Sequence, residues 1–120
     1  MDLRKFSKKL SDKLNNCPEH LTDEQIKECH MNYIEYHTKK KPDEILVIPI
    51  EEMAELTQHL SKVIRGKETS KSIGLLEELV DVQICIDNLK INFGIDEETF
   101  KYAMDVKLER SSEKIKNETA

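Results

Sequence analysis

Apolar residues return every three or four positions along almost the whole chain, and β-branched residues form no long alternating run. Leu3, Phe6, Leu10 and Leu14 make one such stripe; Ile26, Cys29, His30, Tyr33, Ile34 and His37 make a broader one. That period belongs to the amphipathic α-helix rather than the strand. Three Gly and three Pro punctuate 120 residues, so helices are interrupted at few places. A first helix is expected over about residues 2–15, closed by Pro18. Thr22 followed by Gln25 has the form of a capping box and opens a second helix at Asp23, which fades in the lysine run before Pro42. The run Ile45–Ile50 could be a short buried strand. Pro49, however, suits the first turn of a helix, where its missing N–H is not needed. A long helix is therefore expected from about Ile48 to Ile64, entered through an extra turn. Gly66 and the polar stretch Lys67–Ser72 read as a loop, and Ile73–Asn92 as a fourth helix ended by Gly94. Asp96 caps a fifth, reaching about Glu113, with residues 114–120 fraying. The expected fold is all-α, a four- to five-helix bundle in one domain spanning 1–120.

Composition narrows the function classes. The net charge of −5 repels phosphates, which disfavours general nucleic-acid or anionic-membrane binding and suits divalent cations. No stretch approaches the ~18 apolar residues that span a bilayer, and the N-terminus reads as a basic amphipathic helix rather than a leader. Cys17, Cys29 and Cys85 are too few and too odd in number for a disulfide framework. Reduced thiols and a cytoplasmic location are expected. Cys17-x-x-His20 and Cys29-His30 invite a zinc reading, but adjacent Cys and His chelate awkwardly from one helix.

The informative residues are acids on faces where acids do not belong. At about 100° per residue, Met53, Leu56, Leu60 and Val63 define the apolar arc of the third helix, with Glu52 at its edge and Glu55 three residues on. On the fourth helix Val82, Cys85, Ile86 and Leu89 define one apolar face. Glu78 projects into it, flanked by Asp81, while Val80, Ile84 and Ile91 form a second stripe nearly opposite. A buried unpaired carboxylate costs several kcal/mol or takes up a proton, and no Lys or Arg follows Glu78 at a spacing of three or four. Two acid pairs on neighbouring helices can converge on one point, and hard oxygen ligands select Mg²⁺, Mn²⁺ or Ca²⁺. A di-iron bundle would place His three residues after a ligand acid; Gln58 and Ile84 stand there instead. His59, four residues after Glu55, reads as a helix-surface histidine.

The segments Glu51-Glu52-Met53-Ala54-Glu55-Leu56 and Glu78-Leu79-Val80-Asp81, with the 22 residues 56–77 between the pairs, resemble the MazG-type all-α nucleoside triphosphate pyrophosphohydrolases. That family carries E-E-x-x-E on one helix and E-x-x-D on the next. The likeness spans Ile45 to Arg110, within a core over 45–113; residues 1–44 form an N-terminal extension that matches no family pattern. The resemblance implies a homodimer or homotetramer. It implies Mg²⁺, with Mn²⁺ as a substitute, held by Glu52, Glu55, Glu78 and Asp81. It also implies hydrolysis of an NTP or dNTP between the α- and β-phosphates to a nucleoside monophosphate and pyrophosphate. Glu51, Glu52 and Glu55 are the candidates to orient or deprotonate water. Lys107 and Arg110 match basic residues that contact phosphates on the family's last core helix, and Lys62 is a weaker substrate-binding candidate. Some relatives stack the base on N-terminal aromatics. This chain has no Trp, so Phe6, Tyr33, Tyr36 and His37 are the residues available, each also suited to packing. The alternative is a catalytically silent helical module that binds nucleotide, metal or a protein partner.

Overall fold

The structure is a computed structural model describing residues 3–16, 19–69 and 71–119. It contains five helices: α1 (Leu3–Asn16), α2 (Asp23–Lys40), α3 (Glu44–Ile64), α4 (Ile73–Asn92) and α5 (Glu97–Thr119). No strand occurs among the described residues, so the all-α expectation holds. No described helix is long and apolar enough to cross a membrane. Pro18, expected to close α1, and Cys17 lie outside the described residues. The chain forms two compact units, Met1–Leu89 and Lys90–Ala120.

Local chemistry sets most helix ends. The Thr22 hydroxyl accepts from the Gln25 amide at 3.1 Å while the Gln25 side chain accepts from the Thr22 amide at 2.9 Å, a complete capping box. Gly66 at φ 71° and Gly94 at φ 67° take the left-handed conformation that ends α3 and α4. After Gly94 the Ile95 amide reaches back to the Lys90 carbonyl at 2.9 Å. Asp96 Oδ1 then accepts from the Thr99 amide at 2.7 Å and caps α5.

Two boundaries differ from expectation. Helix α3 begins at Glu44, four residues before Ile48, which leaves Pro49 inside the helix and buried. The turn at Pro42–Asp43 nucleates the helix first: the Leu46 and Val47 amides both bond the Asp43 carbonyl, at 2.9 and 3.1 Å. Ile45 and Pro49, one turn apart, then form its buried side. Helix α5 runs to Thr119 rather than Glu113, so the segment after Glu113, expected to fray, is helical as far as it is described.

In the first unit α2 packs on α3, with His37 Nδ1 3.4 Å from Glu44 and the Tyr33 and His37 rings 4.3 Å apart. In the second, Lys90 Nζ lies 2.9 Å from Glu97 and 4.1 Å from the centre of the Phe100 ring. Because the Thr22 box satisfies two otherwise orphaned amides, Thr22→Ala should cost about 1 kcal/mol, read as a fall in Tm of roughly 4 °C. An unchanged Tm would mean that α2 does not depend on its cap.

Candidate metal centre

The acids reach one another because α3 and α4 run antiparallel in a fixed register. A Cβ on Gly74 would lie 3.1 Å from the His59 ring, so the bare backbone there lets the start of α4 close on α3. His59 Nδ1 in turn sits 2.9 Å from Glu68, which also takes the hydroxyl of Ser72, pinning the connecting loop to α3. Four residues back along α3 from His59 is Glu55; four residues on from Gly74 is Glu78. A carboxylate oxygen of each lies within 4.8 Å of the other. A further three residues in each direction bring Glu52 opposite Asp81, whose charges act on each other.

The inward line of α3 is Ile45, Pro49, Glu52, Leu56, His59 and Val63, each buried or half-buried. This corrects the expected arc: Met53 and Leu60 are exposed, and Glu52 lies within the inward line rather than at its edge. Helix α3 has two apolar stripes, and the one through Met53 and Leu60 faces outward. On α4, Glu78 is 9% exposed and Cys85 is buried, as the wheel required. Ile86 and the second stripe of Val80, Ile84 and Ile91 are open in the single chain.

Glu52, Glu55 and Glu78 each place a carboxylate oxygen within 4.8 Å of the others. Oxygens around one Mg²⁺ or Ca²⁺ at roughly 2.1–2.5 Å are separated by up to twice that radius, so the trio fits one hard cation. Asp81 stands outside this trio. Its Oδ2, with Oε2 of Glu52 and Oε2 of Glu78, is buried without a hydrogen-bond partner.

Crowding like charges in a sheltered place has the expected electrostatic result. Burial, then hydrogen bonding to Glu55 and Glu52, pushes the Glu78 carboxyl up to about 8. Burial also raises Glu52, assisted by the charges of Asp81, Glu55 and Glu51 and opposed by its hydrogen bond with Glu78. Asp81 is raised by burial and by Glu55. The Cys85 thiol is pushed up to about 11 by burial and by the surrounding carboxylates, which leaves it a neutral packing group.

Of the remaining candidates, Glu51 is exposed on the same turn as Glu52. Lys62 is exposed in the last turn of α3, where its charge acts on Glu68. Lys107 and Arg110 are exposed on α5 and line a pocket of about 260 Å³ with Ser111 and Lys114. Met104, one turn before Lys107, is exposed as well. His59 is engaged by Glu68.

One acid escaped the sequence reading. Glu77 is 4% exposed with both carboxylate oxygens buried and unpartnered, and burial, then Asp81, raises its pKa. With Lys5, Lys9 and Asp81 it lines a cavity of about 330 Å³ between α1 and α4. The signal was present: Glu77 precedes Val80 by three and Ile84 by seven, as much on the second apolar stripe as Glu78 is on the first.

Comparison with protein-family models, with curated proteins and with solved structures returns no match. The resemblance therefore rests on the two motifs, and the site on its own geometry. The orphaned oxygens of Glu52 and Glu78, with Glu55 beside them, suit a divalent cation, which would relieve their repulsion and supply the missing partners.

Two measurements follow from these electrostatics. Mn²⁺ titrated calorimetrically should bind, and Glu78→Gln should weaken it at least about tenfold, or ~1.4 kcal/mol; an identical isotherm for the variant would separate the trio from metal binding. For metal-free protein the folded chain keeps the Glu78 proton up to about pH 8, whereas an ordinary glutamate releases it near 4.5. Between those values the folded state holds more protons, so stability falls as pH rises. Thermal melts should show a loss of at least about 1 kcal/mol from pH 5 to pH 8, roughly 4 °C in Tm, which Glu78→Gln reduces. A flat or rising profile would contradict the raised carboxyl.

Proposed function

We propose that the chain is an Mg²⁺-dependent nucleoside triphosphate pyrophosphohydrolase that cleaves an NTP or dNTP between the α- and β-phosphates. The observation that carries this reading is the convergence of buried Glu78, half-buried Glu52 and exposed Glu55 within 4.8 Å. Both neighbouring helices contribute, in the order and spacing of the resembled motifs. A hydrolase acting on a polyanion needs such a cation site, because without one the acids would repel the substrate.

Bound Mg²⁺ would neutralise the polyphosphate and stabilise charge on departing pyrophosphate. Glu52, Glu55 and Glu78 would hold the ion, with Asp81 beside them as the fourth acid of the motif. Glu51, adjacent but exposed, is the carboxylate most available to orient water and accept its proton, with Glu52 and Glu55 as the other candidates. Lys107 and Arg110, with Lys114 beside them, form a cationic patch suited to phosphate oxygens; Lys62 is a further candidate.

The reading includes a homodimer or homotetramer. Leu46, Ile50, Met53, Leu60 and Ile64 recur at spacings of four, three, seven and four on α3, interrupted at Thr57. All are exposed, Ile64 by 85%, an apolar stripe that a second copy would cover.

Canonical NTPs and dNTPs should be screened with Mg²⁺, reading pyrophosphate against phosphate. At least one should yield pyrophosphate and monophosphate, and Glu78→Gln should lower turnover by about 100-fold or more, ~2.7 kcal/mol of activation free energy. Orthophosphate as first product would overturn the α–β assignment. Nucleotide binding without turnover by any substrate would leave the silent helical module as the reading.

A further inference from the structure

Helix α4 carries a second buried polar side chain that the metal centre does not use. Asn88 is 3% exposed, the least exposed polar residue of the first unit. Its Oδ1 lies 2.6 Å from His30 Nδ1 on α2. A carbonyl oxygen can only accept, so Nδ1 carries the proton and His30 is held with Nε2 as an acceptor. The Asn88 Nδ2 group, a two-proton donor, is buried with no hydrogen-bond partner. An orphaned amide in a native interior costs of the order of a hydrogen bond, and here it stands in the wall of a cavity.

That cavity, of about 380 Å³ between α2 and α4, is lined by Asn88 and His30 together with Leu21, Ile26, Tyr33 and Ile84. Flat apolar walls with a few polar groups are the usual make-up of a small-molecule site, and the volume falls in the range of roughly 300–1,000 Å³ of such sites. Asp87 adds a carboxylate at its edge, already 3.3 Å from Gln83. The cavity is also close to the acids. The Tyr33 hydroxyl responds to burial first and then to the charges of Cys85, Glu52, Glu44 and Asp81. Along α4, Asn88 follows Asp81 by seven residues, about 10 Å at the helical rise. A nucleotide extends comparably from its α-phosphate to the far edge of its base.

We propose that the cavity between α2 and α4 is a nucleobase subsite that reads a ring carbonyl. The Asn88 amide donates to that carbonyl, and His30, which donates from Nδ1 to Asn88 Oδ1, fixes the amide's orientation. Uracil, thymine, hypoxanthine and guanine present a carbonyl where cytosine and adenine carry an amino group. The amino group sets donor against donor at Asn88. A mismatched buried polar pair discriminates strongly, because neither group regains its partner in water. This assignment rests on the nucleotide reading above and narrows it to keto bases.

The test compares UTP, dUTP and ITP with CTP and ATP in the presence of Mg²⁺, using the full chain. The keto triphosphates should exceed the amino ones at least tenfold in kcat/KM. Asn88→Ala should raise KM for UTP tenfold or more with kcat within threefold, and should erase most of the preference. Ile84→Trp, a change at an exposed position of the cavity wall, should raise KM likewise, so the proposal stays testable if Asn88→Ala does not fold. Equal turnover of keto and amino bases, an Asn88→Ala variant that leaves the preference unchanged, or an Ile84→Trp variant with unchanged KM would overturn it. Uridine titrated without metal, followed by the side-chain amide resonance of Asn88, keeps the two readings apart. A shifted amide with no triphosphate cleaved retains the base site and removes the hydrolase. Cleavage with an unmoved amide does the reverse.

Discussion

The structure is organised around a repulsion. Three carboxylates from two helices are held closer than their charges favour, with Glu78 buried, Glu52 half-buried and Glu55 at the exposed rim. Such an arrangement persists only when its surroundings fix it. Here the fixing elements are identifiable: the bare backbone of Gly74 against His59, and the loop tied down through His59, Glu68 and Ser72. These contacts set the antiparallel register of α3 and α4, and the register places Glu55 opposite Glu78 and Glu52 opposite Asp81. A proton shared among the acids relieves the repulsion in part. A hard divalent cation relieves it more fully, since it satisfies several lone pairs at once.

The polar groups of the first unit are distributed along α4 rather than gathered at one point. Glu78 faces α3, Glu77 and Asp81 face the cavity beneath α1 that also contains Lys5 and Lys9, and Asn88 faces α2. One helix thus carries Glu77, Glu78 and Asp81 in its first half and Asp87 and Asn88 in its second, with Cys85 as an inert filler between them. In the proposed reading the polyphosphate lies along the first group and the base against Asn88.

How much of this was legible in the sequence depended on whether a residue's environment is set by its own helix. The capping box at Thr22, the limits of α4 and the burial of Glu78 follow from spacing alone, and all are present. Pro49 misled because proline marks a helix start only on average; the turn at Pro42–Asp43 had already begun α3. Met53 and Leu60 misled because α3 has two apolar stripes, and a helical wheel cannot tell which one faces the chain's own interior. Glu77 lies on the second stripe with Val80 and Ile84, away from the face of Glu78, and nothing in its own helix says that this stripe meets α1 at Glu77 while Val80 and Ile84 stay open. The Asn88–His30 bond joins residues 58 apart on different helices, which no local pattern encodes.

The central claim is that the crowded acids exist to hold a divalent cation. Anomalous diffraction from crystals grown with Mn²⁺ tests it most directly. The account predicts a peak at roughly 2.2 Å from carboxylate oxygens of Glu52, Glu55 and Glu78. Well-ordered acids paired only with one another through shared protons, and no anomalous peak among them at saturating Mn²⁺, would contradict it.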